Sequence, residues 1–388
     1  MEKKEKFLPL SKPSIGQEEI DEVVDSLKSG WITTGPKVKK FEDAFREYVG
    51  SKHAVAVNSG TAALHLAYQA MGLKPGDEVI TTSMTFVATI NMLITLGVKP
   101  VFADIEGKSL NIDTSKIEEK ISEKTKAIIP VHFAGRPVNM DRILEVAGKY
   151  KLKVIEDAAH AVGTEYKGKK IGSTADVSCF SFHPIKNITT GEGGMISTDD
   201  DEIAATARLL RFHGISKEAW ARYSKEGLPF YEVVACGYKY NMMDIQAALG
   251  IHQLAKIEEF NYRRRALADL YDRDLMGIDE LILPDIASDK IKHSWHLYVI
   301  ALKTENLDID RNQFVVELKK ENIGCGIHFT ATHLQPYYQS LGFERGSLPV
   351  TEYYSDRIIS LPLFPAMSKA DVKNVSSAVK RIVKAHKK

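Results

Sequence analysis

The chain has 388 residues, of which 44% are hydrophobic, so it can form one large domain and a smaller second one. Its 52 Lys and Arg residues and 51 Asp and Glu residues leave a net charge of +1, which gives no global attraction to nucleic acid or to an anionic membrane. No stretch approaches the roughly 18 apolar residues of a membrane span, and the run at Ile90–Leu96 is too short.

The cysteines and the N-terminal residues indicate in which cellular compartment the protein works. Cys179, Cys236 and Cys325 are too few and too widely spaced for a disulfide framework or a metal site, and they suit a reducing environment. The segment Met1–Phe7 is charged and no apolar run follows it, so we expect no signal peptide. The sequence therefore predicts a cytoplasmic protein without a bound metal.

Strand and helix patterns alternate from about residue 50 to residue 200. Short apolar runs predict strands at His53–Val57, Glu78–Thr81, Pro100–Ala103, Ala127–Val131 and Leu152–Glu156. Helical patterns between them predict helices at Thr61–Met71, Thr85–Leu96, Thr114–Ile121 and Asp141–Lys149. Most of these strands are apolar on both faces, as a buried parallel sheet requires, and the alternation indicates an α/β layer fold.

The pattern changes after residue 200. Helices are predicted at Glu202–Phe212, Asp244–Arg265 and Arg311–Glu321, and strands at His293–Ala301 and Ile323–Phe329. Ser368, with Asp371 three residues on, resembles a capping box and predicts the start of the last helix. We therefore expect a large domain at 13–255 and a smaller C-terminal α/β domain at 256–388, with residues 1–12 packing on the latter.

Ligands of such sheets bind beyond the carboxyl ends of the strands. The segment Asn58–His65 runs from a predicted strand into a predicted helix, and Gly60 permits a tight turn there. The free N–H groups and the dipole of the helix start favour an anion, although Ser59 or Thr61 as a plain helix cap explains the same pattern. No strand is followed by Gly-x-Gly-x-x-Gly and no Walker lysine is present, which disfavours dinucleotide and P-loop sites.

Asp157 ends an apolar run and faces a large desolvation cost unless it meets a cation. A protonated pyridine nitrogen is such a cation. The alternative is that Asp157 caps a following helix. His160, about one helical turn on, could reach a phenolic oxygen on the same ring, or it could be a structural histidine.

Lys186 lies in the segment Ser181–Gly194, which closes with the turn Gly191–Gly194. A solvated loop lysine is the alternative. Pyridoxal phosphate (PLP) needs three features together: an amine that forms a Schiff base, an acid beside its ring nitrogen and a cup for its phosphate. Ser181 could add a hydroxyl to that cup.

Ordered matches along nearly the whole chain resemble the DegT/StrS-type sugar-nucleotide aminotransferases, within the fold-type I PLP enzymes. The matching segments are Gly30–Pro36, Glu156–His160, Ser181–Gly194, Gly237–Met242 and Ser360–Pro365. The resemblance implies a fold-type I PLP-dependent transferase, with a large domain built on a mainly parallel sheet and a smaller C-terminal α/β domain.

The resemblance also implies roles for the residues around the cofactor ring. Lys186 would form the Schiff base and Asp157 would pair with the pyridine nitrogen. His160 would lie near the phenolic oxygen, where many relatives carry Gln. Phe86 would stack on the ring.

For the cofactor phosphate, the resemblance implies that Gly60, Thr61 and Ser181 hold it within one subunit. Lys239 would reach it from the other subunit of a homodimer, where many relatives carry Asn.

The implied reaction is amination of a nucleotide-linked 4-keto sugar by L-glutamate, which leaves as 2-oxoglutarate, for cell-surface polysaccharide or lipid A-type sugars. The sequence looks most like enzymes that aminate UDP-4-keto-pentoses, but Phe86 stands where those carry Trp and Thr330 where they carry Arg. A UDP- or dTDP-linked 4-keto-6-deoxyhexose is therefore an alternative substrate. Two alternative functions are a PLP-dependent sugar dehydratase, in which His replaces the Schiff-base lysine, and a non-catalytic regulatory protein on the same scaffold.

Overall fold

The computed structural model describes residues 7–216, 230–285 and 290–388. The strands in these ranges are β1 His53–Val57, β2 Glu78–Thr82, β3 Lys99–Ala103, β4 Thr125–Ile129, β5 Lys153–Asp157, β6 Glu165–Tyr166, β7 Lys169–Lys170, β8 Val177–Ser181, β9 Gly194–Thr198, β10 Leu281–Ile282, β11 Ile291–Lys292, β12 Tyr298–Leu302 and β13 Ile358–Leu361. The helices are α1 Gln17–Ser29, α2 Pro36–Val49, α3 Gly60–Ala70, α4 Val87–Thr95, α5 Met140–Tyr150, α6 Asp201–Leu210, α7 Asp244–Ala255, α8 Ile257–Leu275, α9 Arg311–Lys320, α10 Pro336–Gln339, α11 Pro349–Ser355 and α12 Lys369–His386.

A seven-stranded sheet in the order β1-β9-β8-β5-β4-β2-β3 forms the centre of the larger unit. Strand β9 runs antiparallel to both of its neighbours, and the pairs from β8 to β3 are parallel. The carboxyl ends of β1, β2, β4, β5 and β8 and the amino end of β9 therefore meet at one edge. This edge is where an α/β sheet binds its ligands.

Both faces of the sheet are buried, which explains why its strands are apolar throughout. Val55 and Val57 of β1 belong to one hydrophobic core, and the alternate residues Ala54 and Ala56 belong to another. Because successive side chains of a strand point to opposite faces, each face is covered by its own layer of helices. Helix α3 lies in the first layer and α2 in the second.

The smaller unit contains the antiparallel sheet β10-β12-β13, with α8, α9 and α12 contributing to its core. Ser368 caps α12 and forms the expected capping box with Asp371. The N-terminal segment runs beside this unit, where the Leu8 N–H donates to the Asn322 carbonyl at 2.9 Å. The division at residue 255 remains a prediction. Within the described ranges, no helix is long and apolar enough to cross a bilayer.

Two predicted helices differ from the observed ones. The predicted helix Asp244–Arg265 is divided at Lys256 into α7 and α8. The Lys256 ammonium contacts both carboxylate oxygens of Glu19 at 2.9 Å, which ties the break to α1. The predicted helix Thr114–Ile121 consists of two short 3₁₀ turns, the first capped by Asp113, whose carboxylate accepts the Ser115 N–H.

Two predicted strands are also shorter than their alternating patterns indicate. The strand predicted from His293 begins only at Tyr298, because Trp295 has a φ of +48° and the Ser294 N–H donates to the Gly135 carbonyl. The segment predicted as a strand from Ile323 makes isolated bridges instead of a ladder. The segment at Ser294 is held against the larger unit, whereas Ile323 is buried in the core of the smaller unit without joining a regular strand pair.

Candidate active site

A cavity of about 310 Å³ opens at the carboxyl edge of the large sheet. Its wall comes mainly from residues that directly follow β1, β2, β5 and β8. The wall includes seven of the eight predicted site residues, namely Gly60, Thr61, Phe86, Asp157, His160, Ser181 and Lys186. The structure therefore brings together residues that are up to 126 positions apart in the chain (from Gly60 to Lys186).

The start of α3 forms a cup for an anion on one side of the cavity. Ser59 caps the helix, since its hydroxyl accepts the Ala62 N–H at 3.0 Å and its carbonyl accepts the Ala63 N–H at 3.1 Å. The amides of Gly60 and Thr61 are left without an acceptor inside the helix, as the first turn requires. The helix-cap interpretation and the anion-site interpretation are thus compatible.

Gly60 is needed for the shape of this cup. A Cβ atom at position 60 would lie 2.8 Å from the Cβ atom of Ser181, so no larger residue fits without displacement. This close approach places the Ser181 side chain opposite the helix N-terminus. Backbone amides, a helix dipole and a hydroxyl converge there, which is the chemistry that binds a phosphate.

Asp157 ends β5 beneath the cavity and is only 5% exposed. Its Oδ2 atom accepts the Thr89 hydroxyl at 2.6 Å, and its Oδ1 atom accepts the Ala159 N–H at 3.1 Å. The next regular element is β6, so Asp157 does not cap a helix. Its carboxylate is held in one orientation and lines the cavity.

His160 is buried in the turn that follows Asp157. Its Nδ1 atom accepts the Ala134 N–H at 3.3 Å, and its ring centroid lies 4.2 Å from that of His296. Burial lowers the pKa of His160 well below its usual value, and the charge of Lys186 adds to the effect. The imidazole is therefore neutral near pH 7 with its proton on Nε2.

Lys186 lies in the turn that follows β8, where its backbone N–H donates to the His183 carbonyl at 2.8 Å. Burial lowers the pKa of the Lys186 amine to about 8, although the Asp157 charge acts in the opposite direction. A lysine with this pKa has far more of the neutral, nucleophilic amine near pH 7 than a surface lysine has.

The residue after Lys186 anchors this turn. The Asn187 amide donates to the Asn261 side chain at 2.7 Å and to the Ser294 carbonyl at 2.8 Å. Its oxygen lies 3.1 Å from Nδ1 of His296. Because Asn261 is on α8 and Ser294 precedes β12, the turn that carries Lys186 is fixed by elements distant in sequence.

Phe86 and Lys239 occupy different positions relative to the cavity. Phe86 precedes α4 and is 57% exposed, with its ring 6.0 Å from that of Phe329. Lys239 is the one predicted site residue outside the cavity wall. Its ammonium donates to the Asn241 side chain at 2.7 Å and lies 4.4 Å from the Phe212 ring centroid.

The segment Ser83–Phe86 follows a predicted strand and includes Thr85, but sequence reasoning assigned no site role to Thr89, His328 or Phe329, which also line the cavity. Nδ1 of His328 lies 2.8 Å from the Ser360 hydroxyl oxygen, and burial lowers the pKa of His328 to about 4. The spacing of Thr85 and Thr89, one helical turn apart after a strand, was a usable signal. No local signal identifies His328 and Phe329, because they reach the cavity only through the packing of the smaller unit.

The positive charge available in the cavity is small. Among the wall residues that the structure describes, Lys186 is the sole lysine or arginine. The described ranges also hold no group of three or more His, Cys, Asp or Glu residues arranged to bind a metal ion. An anion in this site is therefore met by backbone amides and hydroxyls, with few charged groups of the same chain.

The sequence pattern of the DegT/DnrJ/EryC1/StrS aminotransferase family matches residues 13–380. This chain belongs to that family. A relative, spore coat polysaccharide biosynthesis protein SpsC of Bacillus subtilis (strain 168), is 49% identical to this aminotransferase over 386 residues, with 99% of each chain covered. UDP-4-amino-4-deoxy-L-arabinose--oxoglutarate aminotransferase of Shewanella sediminis (strain HAW-EB3) is 46% identical over 386 residues, covering 97% of this aminotransferase and 98% of the relative.

Solved structures agree with the sequence matches. The PMP form of the putative sugar aminotransferase Spr1654 from Streptococcus pneumoniae superposes with a TM-score of 0.92 at 34% identity, covering 97% of this chain and 99% of that one. The PLP form of the same protein gives a TM-score of 0.91. The chain is therefore a PLP-dependent sugar aminotransferase of fold-type I.

The residues present in this aminotransferase fit PLP. The cavity offers a buried amine of lowered pKa at Lys186, a fixed carboxylate at Asp157 and an anion cup at Gly60 that any Cβ atom would obstruct. These three features match the aldehyde, the ring nitrogen and the phosphate of the cofactor.

Proposed function

We propose that this enzyme transfers the amino group of L-glutamate to a nucleotide-linked 4-keto sugar, and that it does so as a homodimer in the cytoplasm. The observation that carries the proposal is the buried Lys186 amine, of pKa about 8, in one cavity with Asp157 and the N-terminus of α3. The names of the two relatives support the substrate class, since one acts with oxoglutarate on a UDP-linked amino sugar and the other serves polysaccharide biosynthesis.

Lys186 has two tasks in this proposal. Its amine would hold the cofactor covalently, since a buried amine of lowered pKa is suited to bond with the cofactor's aldehyde. The free amine would act as the general base that removes the proton from the α-carbon of glutamate and then as the general acid that returns it. When bound, PLP acts as the electron sink for the α-carbon. In the second half-reaction Lys186 moves protons in the reverse direction, so that the keto carbon of the sugar gains the amine.

Asp157 and His160 orient and polarise the ring. The Asp157 carboxylate holds a proton on the ring nitrogen, because its fixed negative charge favours the protonated form. Nε2 of His160 would donate to the phenolic oxygen of the cofactor, since Nδ1 accepts the Ala134 N–H. Phe86, which lines the cavity, would stack on the ring of the bound cofactor.

The homodimer completes the phosphate site. Gly60, Thr61 and Ser181 supply amides and a hydroxyl from one subunit, but no lysine or arginine of the described wall other than Lys186 is available to balance a phosphate. The partner subunit's Lys239 supplies that charge. Lys239 lies outside the cavity wall of its own chain, which is compatible with a role across the subunit boundary.

A sugar dehydratase is a weaker candidate. Dehydratase relatives carry His in place of the Schiff-base lysine, and Lys186 is intact here with a lowered pKa. Membership of the aminotransferase family supports an enzyme over a non-catalytic scaffold.

A labelling screen tests the proposed substrates. The holoenzyme is mixed with nitrogen-15-labelled L-glutamate and with UDP- or dTDP-linked 4-keto sugars, one at a time, and products are read by mass spectrometry. We expect a labelled amino sugar from at least one acceptor. The Lys186→Ala variant should give no detectable labelled sugar, because both proton transfers need the amine and the rate of amino transfer therefore falls by far more than about tenfold. Conversion of glutamate without any labelled sugar would refute the acceptor class, and no conversion of glutamate would refute the donor.

Two positions offer a matched test of sugar choice. Phe86→Trp and Thr330→Arg introduce the residues that pentose-aminating relatives carry. We expect the double variant to gain selectivity for a UDP-4-keto-pentose over a 4-keto-6-deoxyhexose, measured as the ratio of kcat/KM for the two sugars. An unchanged ratio would show that these positions do not select the sugar.

A further inference from the structure

The hydroxyls of Thr85 and Thr89, near the start of α4, form a chain of hydrogen bonds that ends at Asp157. The Thr89 hydroxyl donates to Oδ2 of Asp157 at 2.6 Å, and the hydroxyl oxygens of Thr85 and Thr89 are 2.9 Å apart. All three side chains line the cavity, yet each is at most 5% exposed. Bulk water therefore competes little for these bonds.

The direction of these bonds follows from the acceptor at their end. An ionised carboxylate can only accept, so the single proton of the Thr89 hydroxyl is committed to Asp157. The lone pairs of Thr89 are then free to accept the hydroxyl proton of Thr85. The result is a relay in which Thr85 orients Thr89 and Thr89 donates to Asp157.

The backbone that carries the relay is held from two sides. The Tyr68 hydroxyl, from α3, donates to the Thr89 carbonyl at 3.1 Å. The Thr332 hydroxyl, from the smaller unit, donates to the Thr85 carbonyl at 3.3 Å. Since Tyr68 is fully buried, the relay is fixed relative to the phosphate cup at the other end of α3.

We propose that Thr89, oriented by Thr85, is a positioning residue that holds the Asp157 carboxylate in place to pair with the ring nitrogen of the cofactor and thereby keeps the proton on that nitrogen. The proposal rests on the proposed pairing of Asp157 with that nitrogen. A proton between a carboxylate and a pyridine nitrogen can reside on either atom. A hydroxyl and a backbone N–H that donate to the two carboxylate oxygens stabilise the charged carboxylate, so the proton resides on the nitrogen.

Nitrogen-15 NMR of the holoenzyme, loaded with PLP labelled at the ring nitrogen, tests the relay directly. The variants are Thr89→Val, which removes the hydroxyl at nearly constant volume, and Thr89→Ser, which retains it. We expect the ring signal of Thr89→Val to shift toward that of an unprotonated pyridine and that of Thr89→Ser to stay at the wild-type position. The glutamate half-reaction should slow by about tenfold to a hundredfold in Thr89→Val only, as expected for one hydrogen bond to a charged group.

Asp157→Asn separates the relay from the function on which it rests. If Asp157→Asn loses the protonated signal while Thr89→Val keeps it, the relay is refuted and the pairing of Asp157 stands. If Asp157→Asn also keeps the signal, the pairing itself is refuted. Should Thr89→Val fail to fold, Thr85→Val serves in its place, with a smaller shift in the same direction expected. A variant that lowers Tm but leaves the ring signal unchanged would mean that the hydroxyls only stabilise α4.

Discussion

The Nδ1 atom of His160 accepts the backbone N–H of Ala134 at 3.3 Å. Since this histidine is buried and its pKa lies well below the usual value, the relationship fixes both its charge and its tautomer. The ring presents an N–H group, and never a lone pair, at Nε2. In the proposed site this group donates to the phenolic oxygen of the cofactor.

His160→Gln should retain most of the activity, because the Gln amide can also donate to that oxygen. His160→Phe keeps an aromatic ring but has no donor, and we expect it to lose more than about tenfold in the rate of the glutamate half-reaction, or at least 1.4 kcal/mol of barrier. Stopped-flow absorbance of the cofactor measures the half-reaction rate of both variants. Equal rates for the two variants would show that His160 only packs against His296.

Asp157→Asn should lose far more rate than stability. The amide keeps the shape and an oxygen that can accept the Ala159 N–H, so we expect a change of about 1–2 kcal/mol in the free energy of unfolding. The rate should fall by more than about a hundredfold, because a neutral amide cannot hold the ring proton. Urea unfolding and the half-reaction rate provide the comparison. Normal transamination would indicate that Asp157 only stabilises the turn.

Folding stability should fall as the pH drops below about 6.5, the pKa of histidine in an unfolded chain. Burial lowers the pKa of His293 to about 3 and that of His328 to about 4. Below pH 6.5 the unfolded chain therefore binds protons that the folded chain does not, and this continues down to the folded pKa values. His293, which lies outside the cavity wall, offers a clean test.

The test compares wild type with His293→Asn by urea unfolding at about pH 7.5 and about pH 5.5. Wild type should lose about 1.4 kcal/mol more than the variant between these two pH values, since one protonation step of the unfolded chain is removed. Asn can still accept the Trp295 N–H that His293 accepts at 2.8 Å. Identical losses in both proteins would contradict the lowered pKa of His293.

Lys239→Ala should weaken cofactor retention in the proposed homodimer, because the phosphate would lose its cross-subunit charge. Mixing Lys239→Ala chains with Lys186→Ala chains should restore one complete site in each mixed dimer. Absorbance after dialysis measures retention, and a two-tag purification isolates the mixed dimers. A chain with both changes, paired with wild type, is the control, since no complete site forms there. No recovery in the first mixture, or an active monomer, would refute the shared site.

Local sequence was sufficient to place Gly60 and Asp157 at the edge of the sheet where the cavity lies, while their roles stay predictions. Gly60 lies shortly after β1 and Asp157 ends β5, and parallel strands bring such positions to one edge; Lys186 lies in the turn after β8, a strand that the sequence analysis did not predict. The short apolar strands between helices were equally predictable, since a strand buried on both faces is apolar at nearly every position.

Contacts between distant segments were not predictable in the same way. Thr89 is 68 positions from Asp157, and Asn187 is 74 positions from Asn261, so no local pattern reports either bond. The break at Lys256 coincides with an ion pair to Glu19 of α1, which a helical pattern alone cannot reveal. Ile323 is buried in the core of the smaller unit but its segment makes only isolated bridges, so an apolar pattern alone does not make a strand.

The central claim, that Lys186 is the residue that binds PLP, is tested most directly by borohydride reduction of the holoenzyme followed by peptide mapping. Reduction converts the Schiff base into a stable bond, so the mass of the reduced cofactor stays on the lysine that held it. We predict that this mass is found on the peptide that contains Lys186 and that Lys186→Arg abolishes it. Label on Lys239 or another lysine, or no label in a yellow holoenzyme, would contradict the claim.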